Sequence, residues 1–330
     1  MTSPAITSPK PVAPAARAKF DRFQLGMLGV AALMVVAALV YGGYWLTVFQ
    51  LAMIYGIFCI GLNFFMGYTG QASFGQNAFA CIGGYGSAIL CVQYNWEPAL
   101  ALVASMVIAG LFALIIGYPT LRLRGHYLAM ATFSLGLITY DISIHWTSLT
   151  QGYMGYAGIP PLGIGKFTVD SERWKLVWLA VLLMFGFWLS VRMRNSRFGR
   201  SLRAISGSES GAAALGIRIS RYKLIAFVIA AVYASAAGSL FAHTIGFISP
   251  EVFGPQMSIV TFTMLYVGGV GTMIGPIIGA IVASLLPEIF RSVGRFQDIA
   301  YAVVLLAMLI YAPKGLSALG TLFRSKKEEA

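Results

Sequence analysis

Residues 192–223 read RMRNSRFGRSLRAISGSESGAAALGIRISRYK and form a hydrophilic segment between long apolar runs. This basic segment holds eight arginine and lysine residues against a single acid, Glu209. The whole chain is 58% hydrophobic and only 10% charged, whereas an ordinary soluble domain is about 25% charged. Because so few charges cannot cover a water-exposed surface, the composition predicts an integral membrane protein.

The apolar runs predict the fold class. A membrane-spanning helix needs about 20 mostly apolar residues, and Gly-rich breaks interrupt some of the runs. The sequence therefore predicts an all-α fold, a polytopic membrane helical bundle of about ten transmembrane helices with a short cytoplasmic helix in the basic segment. The predicted spans are 25–44, 47–67, 73–93, 98–118, 126–145, 175–191, 223–244, 257–270, 273–290 and 298–312.

The distribution of basic residues predicts the orientation. With the N-terminus in the cytoplasm, 18 of the 23 lysines and arginines fall in inner segments, as the positive-inside rule requires. Residues 1–24 are then a disordered cytoplasmic tail, 25–312 the transmembrane domain with an outer loop at 146–174, and 313–330 a cytoplasmic tail. The same rule accounts for the net charge of +12, so nucleic acid is not an expected partner. The outer basic residues are Lys166, Arg173, Lys175, Arg291 and Arg295.

Two uncharged segments are dense in glycine. Residues 67–75 read GYTGQASFG and residues 268–276 read GGVGTMIGP, and each joins a predicted span that enters from outside to one that leaves again. Transporters often interrupt their helices with Gly and Pro near the substrate path, although tight helix packing explains the glycines equally well. Polar side chains at the first segment could line a wet path or bond helices together. The candidate path residues are Gln71, Ser73, Gln76, Asn77, Gly268 and Gly271.

Enzymatic and ion-coupled chemistry finds little support in the sequence. The acids nearest to the spans, Asp141, Glu288 and Asp298, lie near span ends, so no chain of carboxylates crosses the membrane as proton- or sodium-driven carriers usually require. The histidines are scattered without metal-ligand spacing, and no phosphate-binding loop is present. We expect no catalytic residues, no metal and no cofactor, and an energy source on another subunit.

The basic segment has the features of a folded element. Ser206 and Glu209 match the S-x-x-E capping box, which predicts a helix over 207–215 with Gly216 at its C-terminal cap. The arginines could anchor lipid headgroups, but the small residues of this helix have too little apolar bulk to bind lipid and favour insertion into a protein partner. The candidate docking residues are Arg200, Arg203, Glu209, Ala213 and Gly216.

Four stretches resemble one transporter family. They are Gly67–Gly75 followed by Ala78-Phe79, Leu121–Ala129 (LRLRGHYLA), Phe198–Ile217, and Gly268–Gly271 with Gly275–Gly279. Together they resemble the permease subunits of branched-chain amino acid ABC importers of the LivM type, over about residues 45–312. Residues 206–208 depart from the pattern, because this chain has Ser-Gly-Ser where the family usually has charged residues.

The resemblance implies a complex in a bacterial inner membrane. The expected partners are a second, related permease in a hetero-dimer, two cytoplasmic ATP-binding subunits and a periplasmic substrate-binding protein, with the coupling segment at Phe198–Ile217. Similar permeases import urea or short amides, so the substrate stays open between these and leucine, isoleucine or valine. An ion-coupled secondary carrier is the alternative from another class.

Overall fold

A computed structural model describes residues 42–164, 167–169, 171–291 and 315–318, together with the single positions 32, 36, 302, 303, 306 and 310. The predicted spans 25–44 and 298–312 and the predicted tails lie almost wholly outside these residues. The α-helices are α1 (Tyr44–Thr69), α2 (Gln76–Val92), α3 (Pro98–Thr120), α4 (His126–His145), α5 (Thr147–Thr150), α6 (Glu172–Asn195), α7 (Arg197–Gly207), α8 (Glu209–Ala214), α9 (Ile219–Ile245), α10 (Pro255–Gly268) and α11 (Gly275–Phe290).

The long helices confirm half of the predicted spans. In the described part of the chain, α1, α3, α4, α6 and α9 are long and apolar enough to cross a membrane. The predicted spans 73–93, 257–270 and 273–290 are helical too, but α2, α10 and α11 have only 17, 14 and 16 residues. A full crossing needs about 20 residues, with a range of about 17–25, so α2 lies at the lower limit of this range and α10 and α11 lie below it.

Helices α1 and α9 form the centre of the bundle, and most of their residues are buried. They approach closely because Gly61 of α1 faces Tyr233 of α9, where even a methyl group would lie 2.3 Å from the tyrosine Cβ. Phe64 stacks on Tyr233 and Phe65 meets Phe227 edge to face. Small residues that admit a neighbouring backbone are the usual basis of helix association in lipid.

Helices α3, α4 and α6 lie at the periphery and expose apolar side chains. Ile115 of α3, Tyr127 of α4 and Phe185 of α6 are all mainly exposed. Such surfaces are unfavourable in water but match the apolar interior of a bilayer. The exposed faces therefore agree with a membrane location.

The residues between α4 and α6 cover one end of the bundle, which we call the loop end. Short strands pair there as β1 (Tyr156–Ala157) with β4 (Phe247–Ile248) and β2 (Gly163–Ile164) with β3 (Phe167–Thr168), both antiparallel. His243 of α9 fastens this layer, since its ring nitrogens lie 2.7 Å from the Ser87 hydroxyl and the Pro160 carbonyl oxygen. The described residues of the predicted loop 146–174 thus form a packed layer.

Helices α7 and α8 cover the opposite end, which we call the basic end. Ser196 caps α7 by accepting a hydrogen bond from the Gly199 amide, and Phe198 stacks on Tyr222. Leu202 and Ile205 of α7 are buried against the bundle. The basic segment is therefore folded, as predicted, although it forms two helices where one was expected over 207–215.

Candidate functional site

The two glycine-rich segments meet at the basic end. A Cβ on Gly67 would lie 2.6 Å from the amide nitrogen of Gly271, and one on Gly271 would lie 3.1 Å from the Gly67 carbonyl oxygen. Gly268 packs against Gly275 with equally little space. Of the two glycines predicted as path residues, Gly271 therefore forms the contact with the first segment, whereas Gly268 packs against the start of α11.

Asn63 of α1 holds the second glycine-rich segment in place. Its Nδ2 donates to the carbonyl of Thr272 at 2.8 Å, and its Oδ1 accepts from the amide of Gly271 at 2.8 Å. Asn63 is buried, so the non-helical backbone of 269–274 gains the partners that lipid cannot supply. Sequence reasoning missed this residue, although a lone asparagine within an apolar span was the available signal.

The first glycine-rich segment runs as non-helical chain from Gly70 to Gly75 before α2 begins. The amide of Phe74 donates to Thr132 Oγ1 of α4 at 3.2 Å, and the ring of Phe74 stacks on Phe262 of α10 at 4.7 Å. The segment therefore enters the bundle between α4 and α10. Helix α2 starts inside the bundle as a result, which explains its short length.

Helix α10 starts beside α2. Asn77 Nδ2 donates to the carbonyl oxygens of Phe253 at 2.9 Å and Gly254 at 3.4 Å, and Gly254 is the residue that precedes α10. The chain reaches the start of α10 from the loop end, whereas it reaches the start of α2 from the basic end through residues 70–75. Two discontinuous helices thus begin side by side, an arrangement that transporters use at substrate sites.

The predicted path residues lie at two depths around this junction. Ser73, Gln76 and Asn77 are buried, and Gln71 is partly exposed at the basic end. Four side-chain atoms of the buried three have no hydrogen-bond partner, namely Ser73 Oγ, Gln76 Oε1, Gln76 Nε2 and Asn77 Oδ1. The structure therefore gathers Ser73, Gln76 and Asn77 at the junction and assigns Gln71 a different environment.

Gln71 belongs to a polar network with the basic segment. Its Nε2 donates to Glu209 Oε1 at 3.1 Å, and Nζ of Lys223 donates to the same oxygen at 2.7 Å. Lys223 is buried while Glu209 is one-third exposed. This Glu209 network joins three parts of the fold: the non-helical segment before α2, the start of α8 and the base of α9. Lys223 was counted only as a loop charge in the sequence.

The predicted capping box is wrong. Ser208 caps α8 by accepting from the Gly211 amide at 3.1 Å, whereas Ser206 lies in the last turn of α7. Glu209 turns to Lys223 because a salt bridge to a buried ammonium is stronger than a hydrogen bond to a free amide. The predicted C-terminal cap is confirmed, since Gly216 has φ +79° and its amide donates to Ala213 at 2.9 Å.

The outer surface of the basic end carries both basic residues and small or apolar residues. Arg200, Arg203, Ala213 and Gly216 all face outward. Beside them Leu215, which sequence reasoning did not single out, is 79% exposed at the tip of α8. The structure thus leaves four of the five predicted docking residues exposed at the basic end, whereas Glu209 is one-third exposed and bonded to Lys223.

The fold and the junction define a multi-pass helical membrane protein with two interrupted helices that meet inside the bundle. Residues 44–313 match the family model described as "Branched-chain amino acid transport system / permease component". The chain belongs to this family of ABC-transporter permeases, whose members are membrane subunits without catalytic activity of their own. The family resemblance in the sequence is thereby confirmed.

Curated relatives agree over most of the chain. The chain is 29% identical to the "High-affinity branched-chain amino acid transport system permease protein LivM" of Escherichia coli K12, over 94% of this chain and 79% of that protein. It is 27% identical to the LivH permease protein of Salmonella typhimurium, over 79% of this chain and 90% of that protein. A probable LivM of Methanocaldococcus jannaschii is 26% identical over 87% of this chain and 84% of its own length. No solved structure matches.

Proposed function

We propose that this chain is the translocating subunit of an ABC importer for branched-chain amino acids, namely leucine, isoleucine, valine or related compounds. It forms the path through the membrane and receives the free energy of ATP hydrolysis from two cytoplasmic ATP-binding subunits. The family match and the names of the relatives support the class of transporter. Their agreement on branched-chain amino acids favours this substrate over urea and short amides.

The Glu209 network is the observation that carries the coupling part of this proposal. It joins the start of α8, at the surface, to Gln71 at the start of the segment that precedes α2. A displacement of α8 by a moving partner would therefore be transmitted through these hydrogen bonds to the segment that precedes α2. The helix at the docking surface and the candidate path are connected through side chains whose atoms lie within 3.1 Å of each other.

Helix α8 and its surroundings form the proposed docking surface for the ATP-binding subunits. Leu215 supplies an exposed apolar anchor between the small residues Ala213 and Gly216, and Arg200 and Arg203 supply positive charge beside it. A central apolar anchor within a polar rim is the usual anatomy of a protein interface. We expect the partner to offer an apolar groove with acidic residues on its rim.

The proposed path follows the face formed by residues 70–75, α4 and α10. Phe74 and Phe262 are partly exposed on this face, and the buried polar atoms of 73–77 lie one layer beneath it. A second, related permease would close the path from the other side, and a periplasmic binding protein would deliver substrate at the loop end. The chain would then lie in a bacterial inner membrane with both termini in the cytoplasm. The proposed path residues are Gln71, Ser73, Gln76, Asn77, Gly268 and Gly271.

Co-purification followed by uptake measurements tests this function. The chain, expressed with its neighbouring transport genes, should purify with a second permease and two ATP-binding subunits. In proteoliposomes with ATP inside and the binding protein outside, the complex should import leucine, isoleucine and valine but not urea. Import of urea without amino acids would reverse the substrate assignment, and uptake by the chain alone, driven by an ion gradient, would overturn the proposed class.

A further inference from the structure

We infer that residues 73–77 bind the α-carboxylate and α-ammonium groups of the transported amino acid at the junction of α2 and α10. This inference rests on the proposed function, because it names the part of the substrate that the path recognises. The site consists of Ser73, Gln76 and Asn77 together with the first turn of α2. It contains no charged residue, as suits a zwitterion whose own charges cancel.

Unsatisfied buried polar atoms point to a ligand at this place. Among the described residues, ten buried side-chain polar atoms lack a hydrogen-bond partner, and four of them belong to residues 73–77. Gln76 is 2% exposed and neither end of its amide is bonded. Buried polar groups without partners are unfavourable and uncommon in native proteins. A polar ligand that bonds to these atoms would remove that penalty.

The starts of both helices provide a suitable place for a carboxylate. Gly75 and Gly254, which precede α2 and α10, offer no side chain to cap these helices, and because α10 begins with Pro255, which has no N–H, the first free amide belongs to α2. The N-terminal end of a helix carries about half a positive charge and binds anions through its free N–H groups. The hydrogen bonds from Asn77 to Phe253 and Gly254 keep the two helix starts together.

The side-chain oxygens provide acceptors for the ammonium group. Asn77 Nδ2 is already used, so the orientation of the amide is fixed and Oδ1 remains free to accept. Gly136 of α4 faces this oxygen and places no side chain beside it. Gln76 Oε1 and Ser73 Oγ are further unbonded acceptors. Donors for a carboxylate and acceptors for an ammonium therefore occur within five residues.

The same arrangement favours amino acids over urea and short amides, the two substrate classes that the sequence left open. Urea and short amides are uncharged and gain little from the positive ends of two helices. An α-amino acid uses both the helix starts and the side-chain oxygens. Phe74, which lies between Ser73 and Gly75 and stacks on Phe262, supplies an apolar surface for an aliphatic side chain. The site thus favours apolar amino acids.

Substitution of Gln76 in the complete complex tests the inference. In proteoliposomes that contain all partner subunits, Gln76→Leu should lower leucine uptake by about 10-fold, the effect of losing one hydrogen bond to a charged group. Stimulation of ATP hydrolysis by the leucine-loaded binding protein should persist, because the Glu209 network is intact. Gln50→Leu is the matched control, since Gln50 is equally buried but its amide is bonded to Glu172 outside the site.

The outcomes separate the inference from the proposed function. If the wild-type complex imports leucine and Gln76→Leu transports it at the wild-type rate, the polar atoms bind water only and the inference is wrong. An equal loss in Gln50→Leu and Gln76→Leu would likewise contradict it. If the wild-type complex imports no amino acid, the proposed function itself fails whatever Gln76 does.

A nearly isosteric variant keeps the test independent of folding. Ser73→Cys in the working complex should react with a small methanethiosulfonate reagent, and saturating leucine should slow the reaction while urea should not. The native cysteines Cys59, Cys81 and Cys91 are buried and serve as the unreactive background. If the thiol introduced by Ser73→Cys never reacts during turnover, or if leucine does not protect it, the inference is overturned.

Discussion

Lys223 shows how a single side chain can connect distant parts of this fold. Its ammonium group is buried and is neutralised by Glu209 at 2.7 Å. Burial of a charge is costly unless an opposite charge and further hydrogen bonds accompany it. Gln71 supplies a third member by donating to the same carboxylate oxygen. The residue is thus held by contacts that no local sequence pattern encodes.

The salt bridge to Lys223 can be tested by removing one charge and then both. Glu209→Gln leaves the buried ammonium of Lys223 uncompensated, and the cost should be about 1–3 kcal/mol, below the value for a fully buried pair because Glu209 is one-third exposed. We expect a lower Tm of the purified complex and weaker coupling of uptake to ATP hydrolysis. The double variant Glu209→Gln/Lys223→Met should regain part of the Tm, and strictly additive losses would contradict the interaction.

Asn63 offers a second test at the scale of one residue. Asn63→Leu keeps the volume of the side chain but leaves the amide of Gly271 and the carbonyl of Thr272 without their partner. Each unsatisfied buried group costs about 1–3 kcal/mol, so the unfolding midpoint in a denaturing-detergent titration should fall clearly. Asn195→Leu is the control, because Asn195 is exposed at the end of α6. Equal midpoints for the two variants would show that Asn63 does not hold the segment.

At the scale of elements, the basic segment was predictable in outline but not in detail. The glycine at position 216 correctly indicated the end of α8, because a left-handed residue is needed there. Serines occur at 196, 201, 206, 208 and 210, and several of them could serve as N-terminal caps. Only the packing of α7 against the bundle decides that 196 and 208 are the caps. The capping box failed because a tertiary partner, Lys223, competes for Glu209.

The proposed docking role of helix α8 can be tested separately from its contribution to stability. Leu215→Asp should leave folding unchanged, since the side chain is 79% exposed, but it should abolish the ATP hydrolysis that loaded binding protein stimulates. Introducing a charge into the apolar centre of an interface typically costs a large part of the binding free energy. The measurement is phosphate release by the purified complex, together with retention of the ATP-binding subunits.

Met154→Asp supplies the matched control for that experiment. Met154 is 84% exposed, but it lies at the loop end, away from α8. Its substitution should leave both ATP hydrolysis and subunit retention within about a factor of two of wild type, as exposed sites usually do. A Leu215→Asp complex as active as the Met154→Asp complex would exclude α8 as the docking element.

The interrupted helices mark the limit of prediction for the other elements. The glycines at 67–75 and 268–276 correctly indicated breaks, because non-helical chain inside a bundle needs close packing. The predicted span 73–93 nevertheless began too early, since α2 starts at Gln76. Hydropathy does not distinguish a non-helical segment inside the bundle from the first turns of a helix. The entry of 70–75 between α4 and α10 therefore appeared only in the structure.

For the molecule as a whole, the sequence indicated membrane helices but not their arrangement. Lipid tails are as apolar as leucine side chains, so hydropathy cannot show that α1 and α9 are central while α3 and α6 are peripheral. The contact between Gln71 and Glu209 was also beyond prediction, because 138 positions separate them. Their hydrogen bond connects the proposed path to the proposed docking surface.

The orientation of the whole molecule can be measured with single cysteines. Met154→Cys at the loop end and Leu215→Cys at the basic end both replace highly exposed side chains. By the positive-inside rule, a membrane-impermeant maleimide should label the first in intact spheroplasts and the second only after permeabilisation. The native cysteines are buried and give a low background. The reverse labelling pattern would place the basic segment outside and remove the basis for an ATP-driven mechanism.

The contact between Gly67 and Gly271 has a mechanical consequence. Because a Cβ on Gly67 would lie only 2.6 Å from the Gly271 amide nitrogen, the backbones of the two glycine-rich segments are in direct contact, and we expect displacement of one to displace the other. A force that reaches one segment is therefore delivered to both at once. If the proposed path runs beside this contact, the two segments would have to change position together during transport.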